Sequence, residues 1–381
     1  MLGAEVIQAN SKDLETSLLQ QLKEENPDTY VTLNEHDNDV NPRTHYEATG
    51  LEIVSALGNV DMVVMGAGSG GTMTGVAQRL KQQNPHCIVV AAEPDGSTKI
   101  RSDGKSHPFL VEEIGGKLTS SVLDLSLIDQ IEMVTDKESF LMARELAKKE
   151  GLLCGGSSGT AMSAAIKAAK ALNFGIGQRV VVILPDGIRN YMSTFVSDPW
   201  MEAQGFMEPP AHSMTWWNRP ICDLNLPHSY PKLDRECTCR QALKAMRINK
   251  VSIAVIVDKN GHFVGVVSKN SLRNKATNPP QLPGQKCKEL DFEDVITNVL
   301  DEDVFTLAVD DDSASPTIGL LSRMLDITPF VIIGNKTTDV DTEQEYFVPS
   351  SVVTGDDILD YIELTPDTRT DTGNKKKSLT T

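Results

Sequence analysis

Two glycine-rich turns, Gly66-Ala67-Gly68-Ser69-Gly70-Gly71-Thr72 and Gly155-Gly156-Ser157-Ser158-Gly159-Thr160, lie about ninety residues apart, each between an apolar run and a stretch with helical spacing. Strand-to-helix junctions have this form, and they restrict the chain to α/β architectures whose ligands sit at the carboxyl ends of parallel strands. The first turn follows Asp61-Met62-Val63-Val64-Met65, a buried-strand pattern, and precedes Met73 to Gln83, where Val76, Ala77 and Leu80 recur at helical spacing. Glycines at such a junction let the backbone turn sharply and aim successive N–H groups at a phosphate, and the helix N-terminus adds about half a positive charge. Ser69 and Thr72 add hydroxyl donors. The two turns are read as walls of one anion-binding cofactor site.

The alternation continues from residue 50 to 200. Val60 to Met65, Cys87 to Ala92 and Arg179 to Leu184 read as strands, and Thr72 to Gln83, Asp136 to Glu150 and Thr160 to Leu172 as helices, with Asp136 as a cap and Gly151 as a stop. Pro199, Pro209, Pro210 and Pro220, interspersed with Trp200, Trp216 and Trp217, interrupt the pattern and mark a junction. Beyond it a unit repeats: Ala254 to Val257, a turn, Phe263 to Val267 and a helix opening near Ser268 echo Phe330 to Ile333, a longer loop, Tyr346 to Val353 and a helix opening near Thr354. The expected domains are 1–205, a linker at 206–220, a pair of small α/β modules at 221–365 and a disordered tail at 366–381.

The 381 residues carry a formal charge of −17, which argues against nucleic-acid or anionic-membrane partners, since both need a clustered basic face. The six cysteines show no paired CxxC spacing, and Cys237 with Cys239 makes a poor metal clamp, so reduced thiols and no metal site are expected. No run approaches a membrane span and the N-terminal residues lack a leader pattern, which leads to the expectation of a cytoplasmic protein.

Two chemistries compete for the first turn. Gly66-x-Gly68-x-x-Gly71 satisfies the dinucleotide fingerprint, with Glu93 placed where a ribose-binding acid would stand, so a nicotinamide-dependent oxidoreductase is a rival. Against it, Gly68 to Thr72 is dense enough in donors to wrap a terminal phosphate, and a dinucleotide has no need of the second turn.

The chain resembles the cystathionine β-synthase family of fold type II pyridoxal-phosphate enzymes. The resemblance runs through Gly66 to Thr72, Glu93-Pro94-Asp95-Gly96-Ser97, Glu150 to Ser157, and Val181 to Asp186 leading into Arg189-Asn190-Tyr191-Met192. It implies a tryptophan-synthase-β-like domain with a parallel sheet, followed by paired CBS modules. By the same resemblance Gly68, Ser69, Gly70, Gly71 and Thr72 hold the phosphate of pyridoxal 5'-phosphate, and Ser157 meets its pyridine nitrogen. The family condenses L-serine with L-homocysteine to cystathionine in transsulfuration, a route of cysteine biosynthesis. The paired modules imply an S-adenosylmethionine effector, held by Thr354 and Asp357, whereas Ser268 and Ser271 in the first module lack the carboxylate. A homo-oligomer is implied as well, and a non-catalytic nucleotide sensor is the remaining rival.

Three departures from the family are visible. Met1-Leu2-Gly3-Ala4-Glu5-Val6 matches the middle of the family's catalytic domain, so the Schiff-base lysine segment and the haem-binding extension are expected to be missing, with no haem site and no covalent hold on the cofactor. Lys81, Lys99, Lys105 and Lys117 are expected to be exposed and no substitute. A family tyrosine is replaced by His36, read as an exposed and inert histidine, and the loop that ends in Gly-Tyr in the family reads Glu113-Ile114-Gly115-Gly116.

Overall fold

The computed structural model describes residues 19–20, 22–24, 31–101, 106–117, 120–209, 212, 214–224, 226, 230–277, 290–301, 304–309, 316–338 and 345–365. The described residues from Thr32 to Met201 form one compact unit, and those from Glu202 onward, grouped with those up to Val31, form the other.

The first unit is a parallel sheet wrapped by helices. Helices α1 (Val40–Glu47) and α2 (Thr49–Leu57) lead into β1 (Met62–Gly66), α3 (Gly71–Gln83), β2 (Ile88–Pro94), β3 (Gln130–Val134), α4 (Asp136–Glu145), α5 (Gly156–Ala171), β4 (Val180–Val182) and α6 (Asp198–Ala203), whose last residues cross the division. Strand order is β3-β2-β1-β4, with every pairing parallel. The side chains of β1 alternate between two cores. Val63 and Met65 join Met73, Val76, Ala77 and Leu80 of α3, while Met62 and Val64 join Ala161, Ala164, Ala165 and Ala168 of α5. Burial on both faces explains why β1 and β2 read as unbroken apolar runs.

The helix ends differ in detail from the sequence expectation. The cap of α4 is Thr135, whose hydroxyl accepts from the Glu138 N–H while Glu138 accepts from the Thr135 N–H. Asp136 is instead the first helical residue, and its carboxylate accepts from the N–H groups of Leu110 and Val111. After α4 a π-helical turn, Leu146–Glu150, ends at Gly151 in the left-handed region, as expected. Helix α5 begins at Gly156, earlier than the expected Thr160, because Ser157 to Gly159 are already helical. Strand β3 escaped the sequence reading because Gln130 and Glu132 interrupt its apolar residues on a half-exposed edge.

The second unit repeats one topology. Strand β5 (Lys232–Asp234), α7 (Cys239–Ile248), β6 (Ile253–Val257), β7 (Phe263–Ser268) and α8 (Lys269–Thr277) form one copy; β8 (Thr306–Ala308), α9 (Ile318–Leu325), β9 (Val331–Thr338), β10 (Glu345–Val353) and α10 (Gly355–Leu364) form the other. In each, the middle strand pairs parallel with the first and antiparallel with the third. The copies meet through Ile253, Val255 and Val266 against Phe330, Ile332 and Val352. Within the span read as a linker, Trp217 is buried and its ring lies where a Cβ on Gly319 would fall.

Cys87, Cys154, Cys222, Cys237 and Cys239 are free thiols, while Cys287, Lys105, Pro210 and the 366–381 tail lie outside the described residues. No helix among the described residues is long and apolar enough to cross a membrane.

Two outcomes follow from this packing. A Cβ on Gly159 would overlap the Ser139 carbonyl oxygen, so Gly159→Ala should force α4 and α5 apart and cost about 1–3 kcal/mol, read as a lowered melting temperature. Among the described residues β4 has no partner on its outer edge, and Val180 there is exposed. Such an edge templates pairing, so Val180→Lys should lower self-association in light scattering while leaving the circular dichroism unchanged.

Candidate cofactor site

The first glycine turn begins at the carboxyl end of β1. Gly70 caps α3 with φ +93°, a conformation that a Cβ would strain and that would also drive it to 2.6 Å from Leu123. Among the described residues the Gly71, Thr72 and Met73 amides have no backbone acceptor, since the first intrahelical bond runs from Thr74 N–H to the Gly70 carbonyl. Orphan amides, a left-handed entry and the positive end of a thirteen-residue helix form a cradle for an anion. The loop Glu113-Ile114-Gly115-Gly116 closes on this turn: Gly115 N–H donates to the Ala67 carbonyl at 3.0 Å, and Glu113 adopts φ +67°.

The second turn is positioned by the segment after β4. Gly155 N–H donates to the Asp186 carbonyl at 3.2 Å and Ile188 N–H to the Leu153 carbonyl at 3.0 Å. Ser157, 2% exposed, sits at the second position of α5 with Oγ 3.4 Å from Asp186 Oδ1. Ser157 does not cap α5, because the capping position is Gly155. Asp186 Oδ2 accepts from Tyr191 Oη at 2.6 Å, and burial first, then this bond, pushes the Tyr191 phenol above its ordinary range. Strands β1 and β4 are parallel neighbours, so the chain leaves β1 into the first turn on the same sheet edge where it leaves β4 towards Asp186, the residue that contacts Ser157.

Gly68, Ser69, Gly70, Gly71 and Thr72 therefore occupy one junction, with Ser157 beside the adjacent one. Four partners escaped the sequence reading as site residues: Asn41 and His45 on α1, Asp186 and Tyr191. Asn41 Nδ2 donates to Ser69 Oγ at 2.9 Å, and His45 Nε2 lies 3.1 Å from Thr72 Oγ1. Their only trace in sequence is an i, i+4 spacing on a polar helix. Glu93, the ribose acid of the nicotinamide rival, is 1% exposed and accepts from Ser97 Oγ at 2.6 Å and Ile100 N–H at 3.1 Å, which removes it from contact with a ribose.

Two expectations about charged residues are corrected. Lys99 is buried, at 7% exposure, next to Thr98, whose N–H donates to the Gly116 carbonyl; Lys81 is half-buried against Asp129 at 2.7 Å, and of these three lysines only Lys117 is exposed as expected. His36 is only half-exposed: its carbonyl accepts from Ser120 and Ser121, and its Nδ1 is buried without a hydrogen-bond partner.

In the second unit Thr354 caps α10. Its N–H and hydroxyl both donate to Asp357 Oδ2, at 2.7 and 2.9 Å. At the equivalent junction of the first copy Ser268 and Ser271 bond reciprocally through their hydroxyls.

The parallel sheet with a glycine cradle at its carboxyl edge, followed by a repeated small α/β unit, is the architecture of a fold type II pyridoxal-phosphate enzyme with a CBS region. Residues 1–186 match the family described as pyridoxal-phosphate dependent enzyme and residues 225–277 match the CBS domain, so the chain joins a segment similar to those enzymes to a CBS domain. Among those enzymes it is similar to cystathionine beta-synthases. Identity is 35% to the Apis mellifera protein over 87% of this chain and 65% of that one, and 35% to the Oryctolagus cuniculus protein over 81% and 60%. The Saccharomyces cerevisiae protein is 36% identical over 53% of this chain and 43% of its own length. The chain thus spans less than two thirds of the curated relatives it matches. The family match implies pyridoxal phosphate as the cofactor, and the first turn fits its phosphate: the Gly71, Thr72 and Met73 amides lack backbone acceptors beside Gly70, whose left-handed backbone favours glycine.

Proposed function

We propose that this chain serves a β-replacement enzyme of the cystathionine β-synthase type, condensing L-serine with L-homocysteine to cystathionine, under the control of an S-adenosylmethionine-binding region. The proposed division of labour assigns cofactor chemistry to residues 1–205 and regulation to 221–365. The observation that carries the reading is the shared carboxyl edge of β1 and β4, where the orphan amides of the first turn and the Ser157 hydroxyl stand at neighbouring junctions.

Pyridoxal phosphate supplies the electron sink that such a replacement requires. The amides of residues 68 to 72 and the hydroxyls of Ser69 and Thr72 grip its phosphate and fix the position of its ring. Ser157 presents a neutral hydroxyl to the ring nitrogen, where a carboxylate would impose a full charge. Asp186 already has a short bond from Tyr191, and the Ser157 contact to it is long, so the Ser157 proton turns to a ligand at little cost. In the second unit both bonds from Thr354 end on Asp357 Oδ2, and Oδ1 takes part in neither, which supports a role for that carboxylate in accepting ribose hydroxyls.

Two measurements test these roles. In equilibrium dialysis the full chain, which lacks the family's Schiff-base lysine segment, should bind pyridoxal phosphate without turning over serine and homocysteine alone, and Ser157→Ala should weaken that binding about tenfold, the worth of one hydrogen bond. A full chain that binds no pyridoxal phosphate overturns the cofactor assignment. In calorimetric titrations S-adenosylmethionine should bind the wild type and lose at least tenfold in affinity on Asp357→Asn; equal affinities overturn the effector site.

A further inference from the structure

Helix α1 buries no side chain of its own, yet it lies hard against the first glycine turn. A Cβ on Gly71 would overlap the Asn41 side chain, and one on Gly75 would overlap the Pro42 carbonyl oxygen. What this helix delivers is polar and directional.

Asn41 Nδ2 donates to the Glu35 carbonyl at 2.8 Å and to Ser69 Oγ at 2.9 Å. A carbonyl oxygen only accepts, so the atom facing Glu35 must be the amide nitrogen, and the same nitrogen faces Ser69. Both amide hydrogens are then committed. Ser69 accepts one of them, which leaves its own hydroxyl hydrogen for another acceptor. One helical turn later His45 bridges two threonines, with Nδ1 3.0 Å from Thr49 Oγ1 and Nε2 3.1 Å from Thr72 Oγ1. Burial lowers the pKa of this imidazole, so near neutral pH a single ring nitrogen carries hydrogen. If that nitrogen is Nε2, Thr72 accepts from the ring and its hydrogen is available to a ligand. If it is Nδ1, Thr72 must donate inwards and can offer an anion only lone pairs.

We propose that Asn41 and His45 are positioning residues that preset Ser69 and Thr72 as hydrogen-bond donors to a phosphate monoester. Thr49 Oγ1–H donates to His45 Nδ1, His45 Nε2–H donates to Thr72 Oγ1, and Thr72 Oγ1–H donates to the anion. Donors oriented before binding add affinity because the ligand need not reorganise them. This inference rests on the reading of the turn as a phosphate cradle. Asn41 and His45 act only through the Ser69 and Thr72 hydroxyls assigned to the phosphate, so their effect is confined to ligands that carry one.

The test compares pyridoxal phosphate with pyridoxal, which lacks only the phosphate, by equilibrium dialysis against the full chain. Asn41→Leu and His45→Leu should each lower affinity for pyridoxal phosphate about tenfold and leave pyridoxal unchanged, while His45→Gln, which keeps a donor near the Nε2 position, should recover most of the loss. A parallel fall for both ligands marks a merely structural role and overturns the inference, as does no fall at all. A wild type that fails to prefer pyridoxal phosphate overturns the cradle itself, whereas a preference retained in both leucine variants overturns the inference alone. Should the leucine variants not fold, nitrogen-15 NMR of the wild type with saturating inorganic phosphate decides. An Nε2–H tautomer of His45 supports the proposal and an Nδ1–H tautomer overturns it.

Discussion

The organisation of the first unit depends on β1, a strand paired on both edges and buried on both faces. Its pairing with β2 and β4 aligns three strand ends along one edge of the sheet. Its alternating side chains hold α3 on one face and α5 on the other, and these are the two helices whose N-termini follow the glycine turns. A chain anchored by so many buried methyl and methylene groups, each worth about 0.8 kcal/mol, can hold strained backbone at its exit. The left-handed Gly70 and Glu113 both stand there.

Close backbone approach is the second constraint. Gly71 and Gly75 admit helix α1 to the first turn, Gly155 admits the Asp186 carboxylate, and Gly159 admits the carbonyl of Ser139. Each absence of a side chain lets a polar group from elsewhere in the chain reach the site edge. The turns are therefore junctions at which α1, the 112–116 loop and the segment after β4 converge, and the hydroxyls of Ser69, Thr72 and Ser157 take their orientation from those neighbours.

In the second unit the same physics recurs on a smaller scale. Two copies of one strand, helix and hairpin arrangement bury the outer face of each sheet under its own helices and the inner faces against each other. His262 stacks on Tyr346 at 4.1 Å and Phe263 meets Phe347 edge to face, so the hairpins of the two copies touch through aromatic pairs at matching positions. The hydroxyl-bearing residues Ser268 and Thr354 open the last helix of each copy. Only the second has a carboxylate three residues on.

By itself the sequence determined the parallel α/β class, the two strand-to-helix turns, the stop at Gly151 and the repeated hairpins, because these are local: glycine placement and apolar period act over a few residues. It also pointed to Gly68 to Thr72 and Ser157, through turn chemistry and family resemblance. It did not reveal β3, whose polar residues hide an edge strand, nor the Thr135 cap, which outcompeted Asp136 when that carboxylate took up the Leu110 and Val111 amides. Tertiary structure alone decided that Asn41 and His45 stand behind Ser69 and Thr72, that Lys99 is buried, and that Glu93 is closed off by Ser97. Those outcomes depend on contacts between segments distant in the chain or on how a loop folds back over its neighbours, and side-chain burial and hydrogen-bond direction have no local sequence signal.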